Sequence, residues 1–383
     1  MQAERKRILD LLKDGKLSTE EALTLLEALD KEAGEKGNPA PESRASYKEK
    51  EETFEEKQQE EEEFSTREEK YARSGKSSFD EKQFAQFAGA KDKILDLVST
   101  AIKKVKDFDL QLNQSVEFPH VFQQSNAIVN RVDIDVANGH VEVKPWDQQD
   151  VRIECQVKVF RTDDREEARS TFIKNSYYAI ENEKLRFTTQ SKWIKTDTVV
   201  YLPRQTYEKA SIRTFNGRIS ADGIHAEDMK VKTANGKIQL SDVESEKMEA
   251  ETANGKITII NSKASRLAAE TMNGSLDVEG KFVSTDLQTF NGNINCTLGE
   301  EMMDTIHTKA VTGSISIYLP ADISVEGECK SNLGNYKIDL EGYEVLDEKK
   351  EIVQKQLRFN RSGHTEVPVH LFADTKTGSI YIK

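Results

Sequence analysis

Apolar positions along this chain change period near residue 110. Before it, hydrophobic side chains recur every three or four residues, as in helices with one buried face; after it they alternate with polar ones, as in strands. In the first stretch Ile8, Leu9, Leu11 and Leu12 run up to Gly15, where a helix can stop. Ser18-Thr-Glu-Glu21 then opens a second helix as a capping box, ahead of Ala22, Leu23, Leu25, Leu26 and Leu29. Residues 1–32 therefore predict a helical hairpin. Two short helices bury too little area to stand alone, so the hairpin is expected to associate with a protein partner or a second copy, with Leu12 and Leu26 as its association helices. A longer amphipathic helix is expected over 79–110, where Phe84, Phe87, Ile94, Leu95, Val98, Ile102 and Val105 form one stripe among lysines.

The alternating part begins with Val132-Asp-Ile-Asp-Val136 and Val141-Glu-Val143 around Asn138-Gly139, which predicts a hairpin, and continues with Val151-Arg-Ile-Glu-Cys-Gln-Val-Lys-Val159. Asp163-Asp164-Arg-Glu-Glu167 places acids where a helix over 163–174 would start. From residue 210 to 320 a repeat dominates. Aligned on glycine, the copies are Arg213-Thr-Phe-Asn-Gly217, Lys232-Thr-Ala-Asn-Gly236, Glu251-Thr-Ala-Asn-Gly255, Glu270-Thr-Met-Asn-Gly274 and Gln288-Thr-Phe-Asn-Gly292, spaced 19, 19, 19 and 18 residues apart. A weaker copy stands at Val311-Thr-Gly313. Fixed-period similarity of this kind marks a stacked array.

Each copy carries the same local chemistry. Asn216-Gly217, Asn235-Gly236, Asn254-Gly255, Asn273-Gly274 and Asn291-Gly292 are the turns of the repeat, and Gly255 is expected to require φ > 0. Alternate apolar residues follow: Ile219, Ile238, Ile257, Leu276, Ile294 and Ile315. Each repeat thus supplies two short strands and one buried row. An antiparallel β-meander would need an unusually wide open sheet with two edges, whereas a parallel β-helix stacks each coil on the last in asparagine and threonine ladders. The absence of proline between Arg204 and Leu319 suits strands paired on both sides, and favours the β-helix, with the meander as the alternative. Phe215, Ala234, Ala253, Met272, Phe290 and Val311, each one residue before the turn, form an apolar row. It either packs in a corner of the coil or, if outside, is a docking stripe beside Arg218, Lys237 and Lys256.

Composition narrows the function. Lys+Arg 55 against Asp+Glu 68 leaves a net charge of −13, which argues against nucleic-acid binding. Residues 33–78 hold a run of glutamates with few large apolar groups and read as an acidic flexible linker. No apolar run approaches a membrane span, and the charged start carries no signal-peptide pattern, so a cytoplasmic protein is expected. Cys155, Cys296 and Cys329 form no C-x-x-C pair, and the six histidines no H-x-H or H-E-x-x-H. No phosphate loop or nucleophile elbow appears, so no catalytic residue, cofactor or metal site is expected, and the chain reads as non-enzymatic.

The Asn-Gly-x-Ile rungs, the Val141-Glu-Val-Lys-Pro-Trp146 strand and the Tyr-Leu-Pro segments at 201–203 and 318–320 resemble a bacterial adhesin-like family of β-strand-repeat domains of unknown function. Residues 8–29 resemble the SHOCT-like helical module that often precedes it. The resemblance implies a right-handed β-helix over 115–383, no assigned catalysis and a link to envelope stress. Together these readings give a mainly β protein with an N-terminal α-helical region. Its expected function is that of a non-enzymatic cytosolic scaffold or interaction protein. The alternatives are a peripheral membrane protein held at the bilayer by helix 80–107, and a glycan-binding β-helix.

Overall fold

The computed structural model describes residues 114–299, 303–351 and 354–383. The helical hairpin, the linker and the amphipathic helix expected upstream, with Leu12 and Leu26, lie outside the described residues. Those described are almost entirely strand. Chain order begins β1 (Ser115–Gln124), β2 (Arg131–Asn138), β3 (Val141–Trp146) and β4 (Val151–Phe160), passes through the helix α1 (Arg165–Lys174), and returns as β5 (Ser176–Glu181), β6 (Lys184–Thr189) and β7 (Ile194–Pro203). The repeats follow as β8 (Thr206–Asn216), β9 (Ile219–Asp222), β10 (His225–Asn235), β11 (Ile238–Ser241), β12 (Glu244–Asn254), β13 (Ile257–Asn273), β14 (Leu276–Asn291), β15 (Ile294–Leu298), β16 (Thr305–Thr312) and β17 (Ile315–Tyr318). The last segment holds β18 (Val325–Ser331), β19 (Tyr336–Ile338), β20 (Tyr343–Lys350), β21 (Lys355–Arg361), β22 (Val369–Thr375) and β23 (Ile380–Ile382).

Each repeat is one coil of a β-solenoid: a long strand, an Asn-Gly corner and a short strand. Long strands pair in parallel with long strands and short with short, so Thr233 lies opposite Thr214 and Thr252, and Ile238 opposite Ile219 and Ile257. In β13 and β14 the second corner stays extended, and the short strand of one coil runs on into the long strand of the next. The alternation seen in the sequence is the alternation of burial. Ile212, Val231, Ala250, Ala269 and Leu287 from long strands and Ile219, Ile238, Ile257, Leu276 and Ile294 from short ones are fully buried in one continuous core. Burying each large aliphatic side chain contributes about 1.5–3 kcal/mol, repeated at every coil.

The order of coils departs from the order of the chain at both ends. β2 and β3 pair not with each other, as the expected hairpin at Asn138-Gly139 would require, but in parallel with β6 and β8 and with β7 and β9 respectively. Asn138-Gly139 is a coil corner like the others, and this coil sits between the β6/β7 coil and the β8/β9 coil. At the far end β22 lies between β16 and β18, and β23 between β17 and β19. The antiparallel meander is confined to the ends of the stack, where β1–β4–β7, β5–β6 and β18–β21–β20 pair antiparallel.

At the N-terminal end α1 packs against these strands. Asp164 caps it, its carboxylate accepting from the amides of Glu166 at 2.7 Å and Glu167 at 3.0 Å. Ala168 and Phe172 are buried beneath it, and Phe172 meets Phe118 edge to face at 6.0 Å.

Candidate functional site

The corner that follows each long strand is the most regular feature of the surface. Three ladders run through it. Asn216, Asn235, Asn254, Asn273 and Asn291 are exposed, and the side-chain amide of each donates to the Oδ1 of the asparagine one coil below at 2.8–2.9 Å, beginning at Asn138. Behind them the glycine amides donate to the asparagine carbonyls of the next coil, as Gly236 does to Asn254 at 3.0 Å. Inside, each threonine hydroxyl donates to a glycine carbonyl one coil below: Thr214 to Gly139, Thr233 to Gly217, Thr252 to Gly236, Thr271 to Gly255 and Thr289 to Gly274, at 2.9–3.2 Å. The Thr-x-Asn-Gly motif is therefore a device for satisfying a corner's polar groups with identical groups of its neighbours.

Gly255 does not adopt the positive φ expected of it. The reason for glycine is crowding between coils, because a Cβ there would lie 1.9 Å from the carbonyl oxygen of Gly236. The same approach recurs at Gly217, Gly236, Gly274 and Gly292.

The apolar row lies on the outer side of the corner, opposite the buried threonines. Ala234 and Ala253 are buried without joining the core cluster, and Phe215, Met272, Phe290 and Val311 are half-buried. The row is thus neither inside the coil nor an openly exposed stripe.

Sequence reasoning missed a second feature, a groove of about 360 Å³ on the outer face of the first short strands, lined among others by Pro119, His140, Glu142, Glu154, Asp197 and Arg218. His140 Nδ1 accepts from the Arg218 amide at 3.0 Å, so its neutral ring carries the proton on Nε2. Burial alone would raise Asp197, but Lys195 at 2.8 Å and the His140 amide at 2.9 Å outweigh it and hold its carboxyl below the usual range. Glu142 and Glu154 are likewise paired within their own strands, with Lys144 and Arg152. Each of these three carboxylates thus has a cation of its own strand beside it.

The same holds on the long-strand face, where Asp133 meets Lys184, Arg186 and Arg213, and Glu249 meets Lys230 and Lys232. Aligning the repeats by position would have shown this, since Asp135, Arg213, Lys232 and Glu251 occupy one row, with the two cations flanked by an acid on either side. Among the described residues no cluster of histidine, cysteine or acidic side chains could hold a metal ion, and no helix is long and apolar enough to cross a membrane.

Two families match this chain: the one described as Toastrack DUF4097 over residues 129–371, and a SHOCT-like domain over residues 3–34. The uncharacterized protein YvlB of Bacillus subtilis is 40% identical over 385 residues, covering 100% of this chain and 99% of that protein. Solved structures of candidate adhesins from Bacteroides fragilis and Parabacteroides distasonis are 10% and 11% identical. They cover 71% and 70% of this chain and 99% and 97% of their own, each with a TM-score of 0.39.

Proposed function

This chain belongs to the Toastrack DUF4097 family, and from that premise we propose that it is a non-enzymatic scaffold, a rigid solenoid that carries an N-terminal association module. The observation that carries the reading is the disposition of charge. Ionisable side chains pair along and between neighbouring coils instead of converging on one enclosed pocket, while the successive coils from Asn138 to Asn291 repeat the same Asn-Gly corner at a spacing of about 4.8 Å. Such a surface suits display and contact, not proton transfer.

The SHOCT-like match supports residues 3–34 as the part that recruits a protein partner or a second copy. In this reading Leu12→Asp or Leu26→Asp abolishes that association and leaves the β-solenoid intact. Work in the cytoplasm belongs to the same proposal.

The rival reading places helix 80–107 on a membrane. Co-sedimentation of the full chain and of a 115–383 fragment with anionic vesicles separates the two. The scaffold reading expects neither to sediment with lipid. Salt-sensitive binding by the full chain that the fragment lacks would transfer the function to the membrane surface.

A further inference from the structure

The two ends of the solenoid are finished differently. At the N-terminal end α1 and the antiparallel strands around it bury aromatic groups, whereas at the C-terminal end the long-strand sheet closes on β20, a strand exposed at all eight of its positions. β20 pairs with β21 on one side, and no described strand pairs with its other edge. It also carries Tyr343, Val345 and Leu346, exposed by 37%, 52% and 58%. An open edge with apolar side chains is a template for another strand.

The charges on β20 specify which strand. Its sequence is Tyr343-Glu-Val-Leu-Asp-Glu-Lys-Lys350, acidic in the middle and basic at the end. Set antiparallel to a second copy of itself about a two-fold axis between Leu346 and Asp347, Glu344 stands opposite Lys349, Val345 opposite Glu348 and Tyr343 opposite Lys350. The axis generates each pair twice. A shift of one residue one way sets Glu344 against Glu348, and the other way sets Asp347 against Asp347; like charges directly opposite are destabilising.

The irregularity between Val345 and Asp347 makes the favourable register sterically consistent as well. Because of that bulge, Glu344 and Lys349 lie opposite Asn360 and Gln356 of β21 and so share one face, while Val345 and Glu348 lie opposite Phe359 and Leu357 and share the other. In an unbroken strand, residues five apart would point to opposite faces. Bulges and charges commonly guard an edge against promiscuous pairing. Here they leave one partner whose pattern they match.

We propose that β20 is the seam of a two-fold homodimer in which the long-strand sheets of two copies join edge to edge. This contact is distinct from the association assigned above to residues 1–32, and the test separates them. The full chain is followed by analytical ultracentrifugation from about 1 to 100 µM, a range that captures micromolar dissociation constants. A dimer is expected, with Glu344→Lys or Lys349→Glu alone weakening it at least about tenfold and the double swap Glu344→Lys/Lys349→Glu restoring it. At concentrations low enough for the parent to be monomeric, all three variants should keep its melting temperature, since both side chains are on an exposed strand.

A second variant reads the register directly. Glu344→Cys/Lys349→Cys should form an interchain disulfide under mild oxidation, and Glu344→Cys alone should not. A chain that stays monomeric throughout the range overturns the proposal. So does a dimer indifferent to the charge swap, or one lost only on Leu26→Asp, which would place the contact in the N-terminal helices. A double swap that fails to restore association, or an absence of cross-linking, rejects the register and with it the seam.

Discussion

Gly255 and Gly236 stand one coil apart, and a Cβ added to the first would lie 1.9 Å from the carbonyl oxygen of the second. The obstacle is backbone, the Gly236 carbonyl and the Lys237 amide nitrogen, and not a side chain that could swing away. Gly255 donates its amide to the Asn273 carbonyl at 3.0 Å and its own carbonyl accepts from the Thr271 hydroxyl at 3.0 Å, both in the next coil, while Thr252 and the Asn254 carbonyl of its own corner bind Gly236, each at 3.0 Å, so the corner cannot move without breaking ladder bonds above and below. Even Gly255→Ala should therefore cost about 3 kcal/mol or more, at the upper end of ordinary point substitutions, and Gly255→Val more still. Urea unfolding at constant slope measures it. A midpoint unchanged by either variant would show that the coils can separate freely at this corner.

The hydroxyl of Thr252 supplies a contrasting, purely polar test. It donates to the Gly236 carbonyl at 3.0 Å, and Thr252 is buried. Thr252→Val keeps the shape and removes the donor, leaving a carbonyl oxygen in the interior without its threonine partner. A loss of about 1–3 kcal/mol is expected for such an unsatisfied group. Thr252→Ser retains the donor and should recover most of that loss, apart from the missing methyl. If valine and serine prove equally destabilising, the ladder contributes by packing and not by hydrogen bonding.

These two corners also mark how much of the molecule was legible beforehand. Thr-x-Asn-Gly at a period of 19 residues revealed the coil because every copy satisfies its neighbours with the same groups, so a local motif encoded a long-range contact. Where that correspondence stops, the sequence falls silent. Asn138-Gly139 carries the same signal as Asn235-Gly236, yet nothing local in it states that its coil lies between those of β6/β7 and β8/β9, and a hairpin was the natural expectation. The requirement for glycine was legible at Gly255 but its cause was not, since crowding by another coil depends on tertiary approach and φ on the residue itself. The charge rows of the long-strand face escaped notice because the ion pairs along them join positions roughly one repeat or more apart, as Glu249 does with Lys230.

The thiols test the continuity of the core. Cys155, Cys296 and Cys329 are all buried, and desolvation pushes each up to about 12, far from any thiolate population at neutral pH. Native protein at pH 8 should therefore react with none of its thiols in a chromogenic disulfide assay, and all three should react once guanidinium unfolds it. Rapid modification of one native thiol would locate a coil that opens without global unfolding.

The chain's last fifteen residues offer the most demanding test, because they form an interior part of the stack and not its edge. Val369, Leu371, Ala373, Ile380 and Ile382 are all exposed by 2% or less. β22 separates β16 from β18, and β23 separates β17 from β19, so every strand of this segment is paired on both sides. The corner ladder passes through it too, with Thr375 donating to the Gly313 carbonyl at 2.9 Å and Ser331 donating to that of Gly378 at 3.0 Å. Chain ends usually tolerate truncation because little depends on them. Here burial of the large aliphatic side chains at about 1.5–3 kcal/mol each rivals the roughly 5–15 kcal/mol by which a whole domain is stable. A chain ending at Pro368 should lose the β18/β19 coil together with the β20–β21 hairpin, since both reach the rest of the solenoid through β22 and β23. Limited proteolysis should then cut within residues 320–361, and the thermal transition should broaden and fall well below that of the full chain. A truncated protein that resists protease over this stretch and melts within a few degrees of the parent would show that β18 can pair directly with β16, and that the interleaved order of coils is not required for the fold.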